Sequence, residues 1–338
     1  MSDETTAARA IEHVDVLVVG AGISGIAAAY ALNRGPMRSF AVIDAMDGHG
    51  GTWRLHRYPG VRSDSDLFTY GFHFKPWGGA PIASGDQILD YLGEAIEENG
   101  LASHIRYSTR MKSADWDSRR KLWRIKGKRG SHGEPFEMTC GFLWMCQGYY
   151  RHDQGFTPDW PGMSDFKGRI VHPQTWPDDL DLSGKRIVVI GSGATAVTLV
   201  PALAGACAHV TMLQRSPTYF DVRENRDALA DTLRALEVEP AIVHDILRKK
   251  ITHDQHAYFR RLARHPETAK RELLRQLEKW LPKAEIERHF TPAYLPWQQR
   301  VAVTPGADLF RALQSGTASI VTDQITCFTP DGLMLASG

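Results

Sequence analysis

The sequence predicts an α/β chain with two separate strand-turn-helix openings and a helical insertion. Three observations predict it. VDVLVVGAGISGIAAAYAL (residues 14 to 32) and RIVVIGSGATAVTLVPALA (186 to 204) each pass from a β-branched run through a glycine-rich turn into a small-residue helix. Each is followed by a further apolar strand, FAVID (40 to 44) after the first and HVTMLQRSP (209 to 217) after the second. Residues 222 to 290 then become charged and helical, with Leu273, Leu274, Leu277, Trp280 and Leu281 on one face.

The elements between these landmarks follow from local pattern. SGDQILDYLGEAIEENG (84 to 100) reads as a helix closed by Gly100, and MKSADWD with KLWRIKGK (111 to 128) as a hairpin-like β pair. FLWMCQGYY (142 to 150) reads as a buried strand ending at a glycine. FKGRIVHPQTWPDD (166 to 179) is too broken by proline for a helix and reads as an extended connector. The expected plan is an N-terminal domain over 1–160, a linker over 161–182, and a second domain over 183–338 that carries the insertion at about 222–290.

Composition sets limits. The 338 residues suffice for two domains, and 43% hydrophobic with 23% charged residues is ordinary globular composition. A net charge of +1 gives no electrostatic reason to expect nucleic acid. Cys140, Cys146, Cys207 and Cys327 form no CxxC pair, which fits a reducing compartment and a cytoplasmic location. The polar, acidic N-terminus lacks the basic region and apolar core of a secretory signal. The uncharged run 187 to 208 carries glycines, a proline and hydroxyls, so strand, turn and helix explain it better than a membrane span. HExxH and G-x-S-x-G motifs are absent, which removes the usual zinc-protease and serine-hydrolase signals.

The two turns carry the chemistry. Gly20, Gly22 and Gly25 give G-x-G-x-x-G directly after a strand, a spacing that lets the backbone approach a pyrophosphate and the helix pack close. Ser24 lies in that turn, where helix N-H groups favour phosphate, and Asp44 closes the next strand, where an acid accepts hydrogen bonds from ribose hydroxyls. In the second turn Gly191, Ser192, Gly193, Ala194, Thr195, Ala196 and Val197 form the matching stretch, with Ala196 in the third glycine position. Gln214 and Arg215 stand where the ribose acid would be. An arginine there suits a 2′-phosphate, so NADPH is expected over NADH. The fold class is thus two Rossmann-like dinucleotide-binding domains, FAD first and NADPH second. That plan admits disulfide reductases, ferredoxin-type reductases and flavin monooxygenases. The first needs a closely spaced redox cysteine pair, which Cys140 and Cys146 do not supply.

A family resemblance narrows the choice. GGTWRLHRYPGVRSD (50 to 64) and the F-x-G-x-x-x-H-x-x-x-W-P pattern filled by Phe166, Gly168, His172, Trp176 and Pro177 resemble the two signatures of flavin-dependent Baeyer-Villiger monooxygenases. RYPGVRSDSD, HVTMLQRSPTY and HFTPAYLPWQQR are similar to the branch of that family containing the ethionamide-activating monooxygenase. The resemblance implies use of FAD, NADPH and dioxygen to insert oxygen beside a ketone carbonyl, with oxidation of sulfur in thio-compounds as a further activity. The neighbouring alternative is a flavin monooxygenase of soft nitrogen or sulfur centres.

By the same resemblance Arg300 stabilises negative charge in the oxygenation step and Asp64 orients Arg300 by a charge-assisted hydrogen bond. Gly51, Thr52, Trp53, Arg54 and Leu55 would run beside the flavin, and Arg62, Ser63 and Asp64 would lie where flavin and nicotinamide meet. Met111 would touch the adenine portion of FAD, and His172 would belong to the linker and position the cofactor. Two positions depart from the pattern, Gln299 for a frequent lysine and Gln147 for a small residue. The family pattern also continues past a segment like DGLMLASG into a region completing the FAD domain and substrate pocket. This sequence stops at Gly338, and the expectation is a fragment, or a truncated product that has become a nucleotide-binding remnant.

Overall fold

The structure is a computed structural model that describes residues 11–36 and 38–338. The polar N-terminal stretch at residues 1–10 lies outside the described residues. The chain divides into two compact units, Met1–Leu55 with Asp86–His152 and His56–Gly85 with Asp153–Gly338.

The first unit is built on β1 (Glu12–Val19), β2 (Phe40–Ile43), β3 (Ile105–Arg106), β4 (Thr109–Asp117), β5 (Leu122–Arg129) and β6 (Glu134–Met145). They form one sheet in the order β3-β2-β1-β6-β5-β4. β1 pairs in parallel with β2 and β6, while β4, β5 and β6 form an antiparallel arm. β6 serves both halves because its long run continues from the arm into the parallel half, Trp123 facing Cys140 and Val19 facing Met145. The β-branched character of β1 suits a central strand buried on both faces, and Leu17 and Val18 are wholly buried. The helix Ile23–Arg34 follows the first glycine turn. The helix Gly85–Glu98 buries Ile88, Leu92, Ala95 and Ile96, the i, i+4, i+7, i+8 stripe of an amphipathic helix.

The expected hairpin is present, with Trp116 opposite Trp123 and ring centroids 5.4 Å apart. The expected buried strand 142 to 150 requires correction. It is the end of β6, stops at Met145, and leaves Phe142 58% exposed beside half-exposed Trp144 and Met145. The apolar run marks a sheet face that no described residue covers.

The second unit contains β7 (Arg186–Ile190), β8 (His209–Gln214), β9 (Tyr219–Arg223), β10 (Val301–Pro305), β11 (Ala318–Thr322), β12 (Ile325–Thr329) and β13 (Gly332–Leu335). β7, β8 and β11 form a parallel sheet in the order β11-β8-β7. β9 and β10 pair in parallel, and β12 and β13 form a hairpin. The helices Ala228–Ala235, Pro240–Arg264, Pro266–Leu277 and Lys283–His289 leave the chain after β9 and return it to β10. Because β9 and β10 are hydrogen-bonded neighbours, the insertion starts and ends at one place. Leu273 and Leu277 are buried, and Leu274, Trp280 and Leu281 pack against the buried residues as the apolar stripe requires.

Val197, Val200 and Leu203 of the helix Ala194–Leu203 pack with Val210 and Met212 of β8. Phe220, Phe290 and Phe310 pack ring to ring beside them at 5.4 to 5.7 Å between centroids. Residues 166 to 179 form a connector broken by one 3-10 turn, Pro173–Thr175, and Trp176 packs against this same core. No helix among the described residues is long and apolar enough to cross a membrane.

Candidate dinucleotide sites and their residues

In the first unit the glycine turn is shaped by steric necessity. Gly20 has φ +110°, a conformation side chains disfavour, and a Cβ on Gly25 would overlap the carbonyl oxygen of Gly20. A second glycine pair closes on the first. A Cβ on Gly51 would sit 3.1 Å from the Cα of Gly22, and the Gly50 N-H donates to the Ala21 carbonyl at 3.0 Å. Two side-chain-free segments thus meet at the N-terminus of a helix, where exposed Ser24 lies in the first turn. Bare glycine backbone and helix N-H groups border this cradle, the surroundings a diphosphate requires.

Asp44, the acid expected at the ribose, is anchored by the backbone. It is buried, its Oδ2 accepts from the Ala21 N-H at 2.6 Å and its Oδ1 from the Met46 N-H at 2.7 Å. Its carboxylate therefore fastens the end of β2 to the glycine turn. Thr52, Trp53, Arg54 and Leu55 form one helical turn after the second glycine pair, where Arg54 Nη2 pairs with Asp47 Oδ1 at 2.8 Å. Met111 packs against the core of the sheet arm, next to a register shift of β4 against β5. Burial pushes the Cys140 thiol up to about 11, and Cys140 and Cys146 are both free, so neither resembles half of a redox pair.

In the second unit Gly191 has φ +123° with open space around its missing side chain. A Cβ on Gly193 would lie 2.9 Å from Arg300 Nη1, so the catalytic candidate sits directly on the second glycine turn. Ser192 Oγ lies 3.0 Å from Thr218 Oγ1, and Thr195 is hydrogen-bonded to the Tyr58 hydroxyl. Burial raises the Tyr58 hydroxyl above its ordinary range, so it stays protonated at neutral pH. Ala194 opens the helix, and Ala196 and Val197 are buried in the core beneath the turn, where Ala196 serves close packing.

Gln214 and Arg215 separate sharply. Gln214 is wholly buried, and its Nε2 donates to the His289 carbonyl at 2.7 Å and to Thr322 Oγ1 at 2.8 Å. It holds the end of β8 to neighbouring elements. Arg215 is exposed and makes no ion pair among the described residues. The physical reason is position: Gln214 is the last residue of a central strand with neighbours on both sides, whereas Arg215 has already left the strand.

Arg62, Ser63 and Asp64 lie in the second unit with the tyrosine-proline-glycine loop. A Cβ on Gly60 would meet Ala202 Cβ at 2.7 Å, which is how that loop packs on the helix Ala194–Leu203. Arg62 Nη1 donates to Asp308 Oδ2 at 2.5 Å, and buried Ser63 accepts from the Ala83 N-H at 3.3 Å. The expected Asp64–Arg300 hydrogen bond is absent among the described residues: Asp64 is exposed, with only the Ser65 hydroxyl at 3.4 Å. His172 Nδ1 accepts from the Gln174 N-H at 3.1 Å and caps the 3-10 turn, while Gly155 makes room for its ring. That is a structural role in the connector. Among the described residues no cluster of three or more His, Cys, Asp or Glu could hold a metal.

Comparison with known proteins identifies the family and the fold. The family described as pyridine nucleotide-disulphide oxidoreductase matches residues 14–260. The FAD-containing monooxygenase EthA of Mycolicibacterium smegmatis is 45% identical over 331 residues, covering 97% of this chain and 67% of that protein. Among solved structures, an oxidized steroid monooxygenase bound to NADP aligns with TM-score 0.76 at 24% identity, covering 96% of this chain and 68% of the other. A cyclohexanone monooxygenase bound to ε-caprolactone aligns with TM-score 0.77 at 22% identity, covering 97% and 71%. The chain belongs to the FAD-containing flavin monooxygenases and shares the fold of the Baeyer-Villiger enzymes. It spans about two thirds of the length of these relatives.

Proposed function

We propose that this chain carries the two nucleotide sites of an NADPH- and dioxygen-dependent monooxygenase that inserts an oxygen atom beside a ketone carbonyl. Bound FAD, once reduced by NADPH, supplies the activation of dioxygen. The protein's share is to hold both nucleotides and to offer positive charge where negative charge develops. The first glycine cradle takes the diphosphate of FAD, and the turn Gly191–Val197 takes that of NADPH, with Arg215 directed at the 2′-phosphate.

The position of Arg300 carries this reading. Its guanidinium lies on Gly193 and has no carboxylate partner among the described residues, so its charge is not neutralised by the protein. A cation held beside the nicotinamide-nucleotide turn is placed to stabilise the oxyanion formed on a carbonyl under attack. Oxidation of a sulfur or nitrogen lone pair creates no such oxyanion on the substrate, and for this reason we favour ketones.

The test supplies purified protein with NADPH, dioxygen and matched panels of ketones and thioethers, with Arg300→Ala as control. Ester formation that falls at least a hundredfold in Arg300→Ala supports the proposal. Thioether oxidation without ester, or ester formation that Arg300→Ala leaves unchanged, overturns it.

A further inference from the structure

Trp297 adopts φ +68°, a left-handed conformation that is unfavourable for a bulky aromatic residue, and it lies three positions before Arg300. Strain of this kind persists only where surrounding contacts over-determine it. Ordinary burial does not supply that constraint, since Trp297 and Phe259 are each 44% exposed.

The specific contacts do. Trp297 Nε1-H donates to the Tyr258 hydroxyl at 3.1 Å, and the Phe259 ring meets the indole edge-on with centroids 5.2 Å apart. Both partners belong to the long helix Pro240–Arg264 of the insertion. On either side the chain is already fixed. The Tyr219 hydroxyl donates to the Tyr294 carbonyl at 2.6 Å, the Gln298 N-H bonds the Leu295 carbonyl at 3.1 Å, and β10 begins at Val301. Trp297 is therefore where the chain turns between a pinned loop and a pinned strand, and Arg300 is delivered at the end of that turn. With no carboxylate to orient it, Arg300 depends on backbone direction for its place on Gly193.

We infer that the Tyr258–Trp297 contact is a latch by which the helical insertion positions Arg300. Tyr258 and Trp297 are positioning residues that act through Arg300. The inference rests on the role of Arg300 given above. It assigns the insertion a function, since displacement of the helix Pro240–Arg264 would release the turn that carries the arginine.

The experiment uses the full chain with Tyr258→Phe, Trp297→Phe and Trp297→Gly. The first two remove one partner of the hydrogen bond and keep an aromatic ring. Trp297→Gly removes the side chain but accepts φ +68° without strain, so its backbone turn remains accessible. Amide hydrogen exchange over residues 295–300 and the rate of Arg300 modification by an arginine-selective dicarbonyl reagent report on the latch independently of turnover. All three variants are expected to exchange and react faster at this segment, with kcat reduced about tenfold and KM for NADPH unchanged. Wild-type exchange and dicarbonyl reactivity in Tyr258→Phe and Trp297→Phe would overturn the latch. Full activity in Arg300→Ala would instead overturn the role of Arg300, whatever the exchange data show.

Discussion

Arg62 gives one half of its guanidinium to Asp308 at 2.5 Å, while its Nη2 is buried with no hydrogen-bond partner. Asp308 opens the helix Asp308–Gln314 and follows Gly306 and Ala307, both at positive φ, so a tight turn aims the carboxylate. Removing Asp308 leaves a partly buried charge wholly unpaired. Asp308→Ala is expected to lower stability by about 2 kcal/mol in urea denaturation, and Asp308→Asn by less, because an amide oxygen still accepts. Equal stability of Asp308→Ala and wild type would contradict this account.

The two glycine turns predict different failures. A methyl group on Gly25 would run into the backbone oxygen of Gly20, which cannot move without unmaking the turn. Gly25→Ala should therefore purify without flavin absorbance. A methyl group on Gly193 meets only the far end of a flexible arginine. Gly193→Ala should keep its flavin and its melting temperature, yet lose turnover as Arg300 is displaced.

Arg215 is the exposed cation at the end of β8. Arg215→Ala should raise KM for NADPH by roughly tenfold, about 1.4 kcal/mol, while leaving KM for NADH almost unchanged. Parallel loss with both coenzymes would show that the residue does not read the 2′-phosphate.

Two buried histidines predict an acid limit. His244 hydrogen-bonds the Phe72 carbonyl at 3.0 Å and His289 lies 2.7 Å from Thr322 Oγ1. Burial holds both below the ordinary histidine value of about 6.5. Their protons bind more weakly folded than unfolded, so their contribution is complete above that value and is lost as pH falls beneath it. Melting temperature should drop between pH 7 and pH 5, and His244→Gln should drop less over the same interval.

Much of the fold was legible because it is local. The strand-turn-helix grammar around Gly20 and Gly191, the amphipathic helix Gly85–Glu98 and the Trp116–Trp123 hairpin all depend on neighbours in sequence. The roles that escaped depend on distant partners. The hydrogen bond of Asp44 to the Ala21 N-H and those of Gln214 to the His289 carbonyl and Thr322 join residues far apart in the chain. Gln214 ends a run of three buried residues, Met212, Leu213 and Gln214, as expected of a central parallel strand covered on both faces. Nothing local signals that Trp297 takes a left-handed turn.

The assignment of residues 56–85 to the second unit bears on how such a protein can be divided. The polypeptide passes from one unit to the other after Leu55, after Gly85 and after His152. Expression of residues 1–152 alone would strand the Tyr58–Arg62 segment without the helix and the Asp308 carboxylate that hold it, and a partner chain starting at residue 153 would lack that segment. A chimera between relatives that crosses over once, at residue 153, therefore mixes parents inside the second unit, whereas transplanting 56–85 together with 153–338 keeps every one of these contacts of common descent.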